Sequence, residues 1–406
     1  MRRRWIATAL ITVLVLAACG GDDGDDEAGG STTTPSSASD EVAAGPEGDA
    51  FYQPPDPLPE REPGDIIWSQ PIDAPAGVVG WRVLYLSTSV ADDAIAVSGV
   101  VYAPEGDLGA RDRPVLAYAH GTTGMGDQCA PSRQDQPEPQ VIAGLLVSRG
   151  FVVAATDYEG LGTPGVHPYV VGLSEARGVL DAVRAAQRLP EAGAGGRVVV
   201  AGHSQGGGAA LVTGEVAADY APELDLLGVV AGAPASELRL ISGALQTSPF
   251  FGYVAMAAAG FHAAYPELEL DEVLTPEAIA ELDDIAGMCT DEIIIRYRGR
   301  DPASVVVADP GAVEPWASLL EENSPGVRPA GAPVLLFHGT ADEQIPVTAS
   351  QLVLDRYCQV GGAAVERRVY EGATHGNVVG VALPDIVAFI EARVAGQPAA
   401  SSCSAG

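Results

Sequence analysis

A valine-rich run followed by a glycine-flanked serine constrains the fold of this chain more than any other feature. Residues 197–201 read Arg-Val-Val-Val-Ala, which is typical of a buried strand. Residues 202–206 read Gly-His-Ser-Gln-Gly, and residues 207–216 have the composition of a helix. Glycine on both sides of the serine permits a sharp turn, because side chains at those positions would collide. The sequence therefore predicts a strand, a tight turn at Ser204 and a helix.

The rest of the chain repeats this alternation of strand and helix. Short runs of β-branched residues are separated by segments long enough for helices, which is typical of a mainly parallel sheet flanked by helices. One such segment, 174–189, carries a helical apolar stripe that Ser174 can cap and Pro190 ends. The predicted fold class is α/β. Besides 197–201, the predicted strands are 97–102, 114–119, 151–156, 227–231 and 334–337.

The alternation breaks between residues 236 and 315, where alanine and aromatic residues precede acidic helical stretches. We interpret this segment as a helical cap inserted into a core made of residues 51–235 and 316–406. Prolines are frequent within 51–80, and proline suits neither central strands nor helix interiors. That part is predicted to be irregular, with the regular fold starting near Val83. Five cap residues are expected either to line a pocket for an apolar ligand or to pack internally: Phe250, Phe251, Tyr253, Met256 and Phe261.

The charge of the chain excludes one large class of partners. Its 406 residues include 54 acidic and 22 basic side chains, and the formal net charge is −32. Such a chain repels phosphate backbones, so it is not expected to bind nucleic acid. Hydrophobic residues make up 47% of the chain, which suffices for the sizeable core of a large domain.

The N-terminal residues read as an export signal. Three arginines precede an apolar run that is too short to span a bilayer. The run ends in Leu-Ala-Ala before Cys19, which resembles the lipid-modification site of bacterial lipoproteins. Residues 1–18 are predicted to be removed and Cys19 to anchor the exported protein in the cell membrane; the alternative is an ordinary signal peptide with a chance cysteine. Residues 19–50, acidic and then rich in serine, threonine and proline, are predicted to form a disordered tether.

Four further cysteines lie in this chain, which its N-terminal signal predicts to be exported. An oxidising compartment favours disulfides and the number is even, so two disulfides are predicted, for which sequence alone permits three pairings. The candidates are Cys129, Cys289, Cys358 and Cys403.

Ser204 requires two partners if it is a nucleophile. A base must take its proton and an acid must orient that base, and around such a turn the chain order is serine, acid, histidine. Asp342 fits the acid because it follows the buried run 333–337, near the carboxyl end of a strand. Of the six histidines only His375 follows this acid, and it comes after a strand and a turn. Ser204, Asp342 and His375 are the predicted catalytic residues, with Glu343 as the rival acid.

An anion formed at Ser204 would need hydrogen-bond donors. One is expected from the backbone amide of Gln205 and another from a loop that ends an earlier strand. Residues 118–124, which read Tyr-Ala-His-Gly-Thr-Thr-Gly, follow such a strand. Thr122 is the predicted second donor and Thr123 its runner-up, whereas a plain glycine turn is the alternative.

Residues 160–165 match the pattern G-x-G-x-x-G of dinucleotide-binding loops. Pro164 and Pro168 prevent the helix that should begin within the motif and receive a pyrophosphate. No nucleotide cofactor is therefore expected, and the spacing of potential ligands indicates no metal site.

Five segments together resemble the secretory lipase family, over about residues 80 to 395 of the chain. The resemblance implies an α/β-hydrolase core, a largely helical cap between nucleophile and acid, and activity on acyl esters that include triacylglycerols. It also implies a disulfide between Cys129 and Cys289, tying the loop before the cap to the cap, and another between Cys358 and Cys403. The segments are 119–124, 156–162, 202–206, 338–342 and 374–376.

These observations predict a serine hydrolase that cleaves carboxylic esters through an acyl-enzyme. The same residues could transfer the acyl group to an alcohol, or cleave a thioester or a peptide. A different class would be a non-catalytic binding lipoprotein that has kept the fold.

Overall fold

The computed structural model of the protein describes residues 42–106, 112–134 and 138–403. The predicted signal peptide, the predicted anchor at Cys19 and most of the predicted tether lie outside these residues. The strands of the described part are β1 (Ile66–Ile72), β2 (Val78–Thr88), β3 (Ala94–Pro104), β4 (Arg113–Ala119), β5 (Val152–Thr156), β6 (Ala194–His203), β7 (Asp225–Gly232), β8 (Val334–Gly339) and β9 (Val365–Tyr370).

These strands form one sheet in the order β1-β2-β3-β5-β4-β6-β7-β8-β9. β4 to β9 run parallel to one another, whereas β1, β2 and β3 form an antiparallel edge. All six predicted strands are present within β3 to β8, with bounds that differ by one to a few residues. The expectation of a mainly parallel α/β sheet is confirmed.

Helices cover both faces of this sheet, and the alternation of side chains along β4 shows why. Val115 and Ala117 point into one buried cluster, while Leu116 and Tyr118 point into another. Both faces of a central parallel strand must therefore be apolar. The helices are α1 (Glu138–Leu146), α2 (Gly172–Gln187), α3 (Gln205–Tyr220), α4 (Leu238–Leu245), α5 (Gly252–Ala264), α6 (Pro276–Ala280), α7 (Leu282–Ile285), α8 (Thr290–Tyr297), α9 (Trp316–Glu322), α10 (Val347–Val360) and α11 (Val378–Val394).

Three of these helices, α2, α3 and α10, pack on one face of the sheet, and α1 and α11 pack on the other. The helix predicted at 174–189 is α2, which begins two residues earlier. Ser174 does not cap it: the residue before the helix is Val171, and the Ser174 hydroxyl instead donates to Glu159 Oε2 at 2.5 Å.

The antiparallel edge corrects the expectation that residues 51–80 are irregular. β1 spans Ile66–Ile72 and β2 already begins at Val78. A strand that pairs on one side only tolerates a proline, and β1 contains Pro71. Proline content was therefore a poor guide to structure at the rim of the sheet.

The described end of the predicted tether also packs on this edge. The amide of Ser69 donates to the carbonyl of Ala43 at 2.9 Å, and Gln70 Nε2 donates to the carbonyl of Pro46 at 2.8 Å. Residues 42–50 thus lie against β1, and the predicted tether was too long at this end.

A helical cap, formed by α4 to α9, lies between β7 and β8 and has its own buried cluster. Trp316 and Leu320 of α9, which follow the predicted end of the cap at residue 315, are also buried in that cluster. In the described ranges, no helix combines the length and apolarity that crossing a membrane requires.

Candidate active site

Ser204 lies at the turn between β6 and α3, as its sequence context predicts. Its φ of 60° and ψ of −122° are strained for a residue with a side chain. The flanking glycines permit this turn: a Cβ on Gly206 would lie 1.9 Å from the carbonyl oxygen of Ala119, and one on Gly202 would lie 2.1 Å from that of Gly206. The Ser204 hydroxyl is thereby presented beyond the end of β6.

The three predicted catalytic side chains form one hydrogen-bonded row. His375 Nε2 lies 2.9 Å from Ser204 Oγ, and His375 Nδ1 lies 2.7 Å from Asp342 Oδ2. Because the carboxylate accepts the Nδ1 proton, Nε2 is left to accept the proton of the serine. His375 is 5% exposed, so this row is largely shielded from water.

Asp342 is held as a carboxylate by several donors. Its Oδ1 accepts the backbone amides of Gln344 at 2.9 Å and Ile345 at 2.8 Å, and its Oδ2 lies 3.2 Å from His338 Nε2. Burial alone would raise the pKa of Asp342, but hydrogen bonds from His338 and His375 hold that pKa well below its usual range. Asp342 therefore keeps the negative charge that can stabilise a protonated His375.

Glu343 and His338 also lie beside this row of side chains. Glu343, the rival acid, accepts the backbone amide of His375 at 3.2 Å, whereas the ring of His375 is bonded to Asp342. His338, which the sequence does not single out, contacts Asp342 from within β8. The sequence signal for this contact is the spacing of four residues between His338 and Asp342. That spacing brings the two side chains together only because the chain turns back after β8.

His203 packs against the predicted base. The two rings of His203 and His375 have centroids 4.5 Å apart. Burial, and then the proximity of His375, lower the pKa of His203 to about 3. His203 therefore stays neutral and leaves His375 free to take a proton.

The predicted oxyanion donors lie on either side of the turn. Gln205 is the first residue of α3, where a backbone amide has no acceptor within its own helix. The other loop passes close to the turn, since a Cβ on Gly121 would lie 3.4 Å from the His203 carbonyl and 3.9 Å from Ser204 Cβ. Thr122 follows on this loop, and its hydroxyl is 2.9 Å from the Tyr169 hydroxyl.

An apolar pocket that is partly open to solvent has Ser204 in its wall. Of the five cap residues for which pocket lining or internal packing was expected, Tyr253 and Phe261 line the pocket, Phe251 and Met256 are buried within the cap cluster, and Phe250 packs against that cluster. Most of the other lining residues also come from the cap: Leu238, Ile241, Ser242, Leu245, Val254, Ala257, Ala258, Pro310, Trp316 and Leu320.

The loop that carries G-x-G-x-x-G follows β5. Gly160, Gly162 and Gly165 all have positive φ, and the next helix, α2, begins only at Gly172. No helix terminus therefore lies within the motif. In the described ranges, no three His, Cys, Asp or Glu side chains are grouped so as to hold a metal.

A family model for secretory lipases matches residues 130–402, which is more than half of the chain. The chain belongs to the secretory lipase family. This confirms the resemblance seen in the five sequence segments and places the protein among carboxylic ester hydrolases.

This secretory lipase is similar to several curated proteins. A secreted triacylglycerol lipase of Malassezia globosa is 28% identical over 342 residues, covering 78% of this chain and 74% of the relative. A protein of Mycobacterium tuberculosis named a probable inactive lipase is 25% identical over 380 residues, covering 87% of this chain and 83% of the relative.

Solved structures show the same fold. Candida antarctica lipase A in its closed state is 20% identical, with a TM-score of 0.76 and 87% of each chain covered. The cell-wall-degrading esterase LipA of Xanthomonas oryzae is also 20% identical, with a TM-score of 0.67 and coverage of 82% of this chain and 98% of the esterase. The α/β-hydrolase fold of this secretory lipase is thus established.

Both predicted disulfides are present in this secretory lipase. Cys129–Cys289 joins the loop after β4 to the cap, and Cys358–Cys403 joins α10 to the C-terminal segment. Next to the first disulfide, the amide of Met125 donates to the Met288 carbonyl and the amide of Thr290 to the Thr123 carbonyl, both at 3.0 Å. The loop that bears Thr122 is therefore fastened to the cap.

Proposed function

We propose that this protein hydrolyses esters of apolar acyl chains, triacylglycerols included, with Ser204, His375 and Asp342 as its catalytic residues. The observation that carries the proposal is the hydrogen-bonded row of these three side chains at the wall of an apolar pocket. The curated relative from Malassezia globosa is named a triacylglycerol lipase, which agrees with this substrate class.

The reaction proceeds through two acyl transfers. As Ser204 Oγ attacks the ester carbonyl, its proton moves to His375 Nε2, and the positive imidazolium is stabilised by the Asp342 carboxylate. The carbonyl oxygen becomes an anion that the amides of Gln205 and Thr122 hold. His375 then protonates the departing alcohol, and the same groups activate a water molecule that releases the acid from Ser204.

The pocket favours an aliphatic acyl chain over a polar one. Its lining is dominated by leucine, isoleucine, valine, alanine and aromatic side chains. Each methylene group moved from water into such surroundings gains about 0.8 kcal/mol. Catalytic efficiency should therefore rise with acyl length until the pocket is filled.

The test is hydrolysis of p-nitrophenyl esters from acetate to palmitate, together with tributyrin and triolein emulsions. We expect kcat/KM to rise and then level off with acyl length, and Ser204→Ala to be inactive on every ester. Ser242→Ala is the matched control, because Ser242 also lines the pocket and should leave most of the activity intact. Equal rates on all chain lengths would contradict the acyl-pocket assignment, and faster cleavage of thioesters or peptides would favour one of the alternative activities.

A non-catalytic binding protein is the competing class, since one relative is named a probable inactive lipase. The complete row from Ser204 to Asp342 argues against that class. A fluorophosphonate probe should label the wild-type protein at Ser204 and leave Ser204→Ala unlabelled. Absence of labelling in the wild-type protein would favour the binding role.

We also propose export followed by anchoring through a lipid on Cys19. Two disulfides support export to an oxidising compartment, and the Malassezia globosa relative is named a secreted protein. The wild-type protein should partition into the detergent phase of a Triton X-114 separation, and Cys19→Ala into the aqueous phase. Equal partitioning of both would contradict the anchor.

A further inference from the structure

Buried polar groups surround the side chain of Gln205, whose backbone amide is a proposed oxyanion donor. Gln205 is 2% exposed, and its Nε2 lies 2.7 Å from Glu175 Oε1 and 2.9 Å from His167 Nε2. Glu175 belongs to the first turn of α2, and His167 to the glycine-containing loop before it. Three separate elements of the core thus meet around one side-chain amide.

The protonation of His167 fixes the direction of these hydrogen bonds. Its Nδ1 lies 2.9 Å from the carbonyl oxygen of Glu159, which can only accept. Nδ1 therefore carries the proton, and Nε2 must accept a proton from the amide group of Gln205. Burial lowers the pKa of His167 to about 4, so the ring stays neutral above that pH.

Glu175 supplies the second acceptor for the same amide group. Its Oε1 also accepts the backbone amide of Val170 at 3.1 Å, and the residue is 2% exposed. Burial raises the pKa of Glu175 to about 8, against the opposing effect of its hydrogen bond with Gln205. The carboxyl group is thus neutral at pH 7 and ionises only in mildly alkaline solution.

We propose that Glu175 and His167 are positioning residues that hold the Gln205 side chain, and through it the Gln205 amide, against the anion formed at Ser204. This inference rests on the proposed ester hydrolysis. The two N–H bonds of the Gln205 amide group have two acceptors, which leaves that side chain one orientation. A side chain locked in this way fixes the start of α3, where the backbone amide must point at the reacting oxygen.

Glu175 can accept the Gln205 amide group whether or not it is ionised, but only its uncharged form adds no negative charge beside the oxyanion. Ionisation would place a negative charge against Gln205, next to the site where the reaction creates another negative charge. Among the described residues, Tyr158 and Tyr169 interact electrostatically with Glu175, and His167 binds the same Gln205 amide group; burial raises the pKa of both tyrosines and lowers that of the histidine. None of the three supplies a compensating positive charge at alkaline pH, so kcat should fall by about tenfold as Glu175 ionises.

The experiment compares pH profiles of kcat and KM for p-nitrophenyl butyrate, from about pH 6 to about pH 10. Each rate is normalised to the number of active sites titrated with a fluorophosphonate, and the Ser204→Ala rate is subtracted as the blank. Wild-type kcat should show an alkaline limb with a midpoint near the pKa of Glu175, which is about 8, while KM stays constant. Glu175→Gln keeps an acceptor oxygen and cannot ionise, so its profile should lose that limb.

Two further variants separate positioning from mere stability. Glu175→Ala should lower kcat about tenfold or more at neutral pH with KM within about twofold, because only the transition state carries the oxyanion. Asp181→Asn is the matched control: Asp181 is a buried carboxylate on the same helix, but it is bonded to Ser87 and Tyr220 instead of Gln205. It should keep the wild-type alkaline limb even if it lowers the melting temperature.

The outcomes are distinguishable. An alkaline limb that persists unchanged in Glu175→Gln, or a wild-type kcat per active site in Glu175→Ala, would overturn the positioning role while leaving ester hydrolysis intact. A wild-type protein that neither hydrolyses the ester nor reacts with the fluorophosphonate would instead overturn the proposed function itself.

Discussion

The hydrolase core and the cap contribute different parts of the candidate active site. All three residues of the hydrogen-bonded row belong to the core, at or beyond the ends of its strands, whereas most of the pocket wall belongs to the cap. The core is built from continuous apolar strands and long helices. The cap consists of six short helices and connecting turns, and it is fastened to the core by a disulfide and by ion pairs. The predicted catalytic residues and most of the pocket wall thus belong to different parts of the fold.

The largest effect should come from the core. Asp342→Asn retains the shape of the acid but removes the charge that orients and stabilises His375, so kcat/KM should fall by about a thousandfold to ten-thousandfold. Glu343→Gln is the control, since Glu343 accepts a hydrogen bond from the backbone amide of His375, whereas the ring of His375 is bonded to Asp342. Ester hydrolysis at pH 7 measures both variants, and circular dichroism confirms that they are folded. Equal losses in the two variants would mean that the acid has been misassigned.

The two disulfides allow the cap and the core to be compared directly. Cys129–Cys289 closes a separation of 160 residues and Cys358–Cys403 one of 45, so removing either should lower the free energy of unfolding by about 3–5 kcal/mol, more for the first. Serine pairs at these positions, followed by urea unfolding, measure this difference.

The two variants that lack a disulfide should also differ in kcat. The pair Cys129→Ser and Cys289→Ser loosens the loop that bears Thr122, so it should also reduce kcat, whereas the other pair should not. A normal kcat in both double variants would show that the tie to the cap serves stability alone.

The sequence was informative wherever local pattern determines structure. The strands from β3 to β8, the turn at Ser204 and the order of acid and histidine all follow from short segments read in isolation. Periodicity and glycine placement carry that information, because a buried parallel strand and a sharp strand-to-helix turn each demand particular residues locally.

The residues that sequence reasoning missed depend on distant contacts. β1 pairs on one side only and tolerates Pro71, and α9 belongs to the cap because Trp316 is buried there. His338 and Glu175 look like ordinary strand and helix residues until folding brings them against Asp342 and Gln205. Such roles arise from packing between segments far apart in the chain, which a local pattern does not encode.

A buried carboxyl group at the base of the cap should make stability depend on pH. Glu215 accepts the amide of Gly326 at 2.6 Å and the hydroxyl of Tyr357 at 2.7 Å, where the chain returns from the cap to the core. Burial raises the pKa of Glu215 from 4.5 to about 7, so the folded state binds a proton that the unfolded state has lost. Its contribution is therefore greatest below pH 4.5 and is lost as pH rises to about 7.

Replacing Glu215 by glutamine tests that dependence. Glu215→Gln keeps an acceptor oxygen and cannot ionise, so at pH 8 it should be more stable than the wild-type protein by about 1–3 kcal/mol. Below pH 4.5, where Glu215 is protonated in both states, the two proteins should be similarly stable. Urea unfolding at several pH values measures this, with the exposed Glu371→Gln as the control. A constant difference at all pH values would indicate a packing effect instead of a titration.

The smallest effect concerns the ion pairs at the two ends of the cap. Arg356 on α10 contacts Glu237 through two nitrogen–oxygen pairs of 2.7 Å each, and it also contacts Glu321 at 2.5 Å. Glu237 immediately precedes α4 and Glu321 lies in α9, so one core residue holds the entry and the exit of the cap. Arg356→Met keeps the apolar stem but leaves the buried carboxylate of Glu237 and the half-buried one of Glu321 unpaired, which should cost about 1–2 kcal/mol.

A solvent-exposed ion pair serves as the control for the ion pairs of Arg356. Arg149 and Glu391 form a solvent-exposed ion pair at 3.2 Å within the core, and Arg149→Met should change the free energy of unfolding by less than about 0.5 kcal/mol. Both variants are measured by urea unfolding at low and at high salt. If Arg356→Met were no more destabilising than Arg149→Met, the disulfide and the apolar cluster would suffice to hold the cap. A larger loss for Arg356→Met, with faster proteolysis confined to residues 238–322, would instead identify the charged contacts as the fastening that limits cap opening.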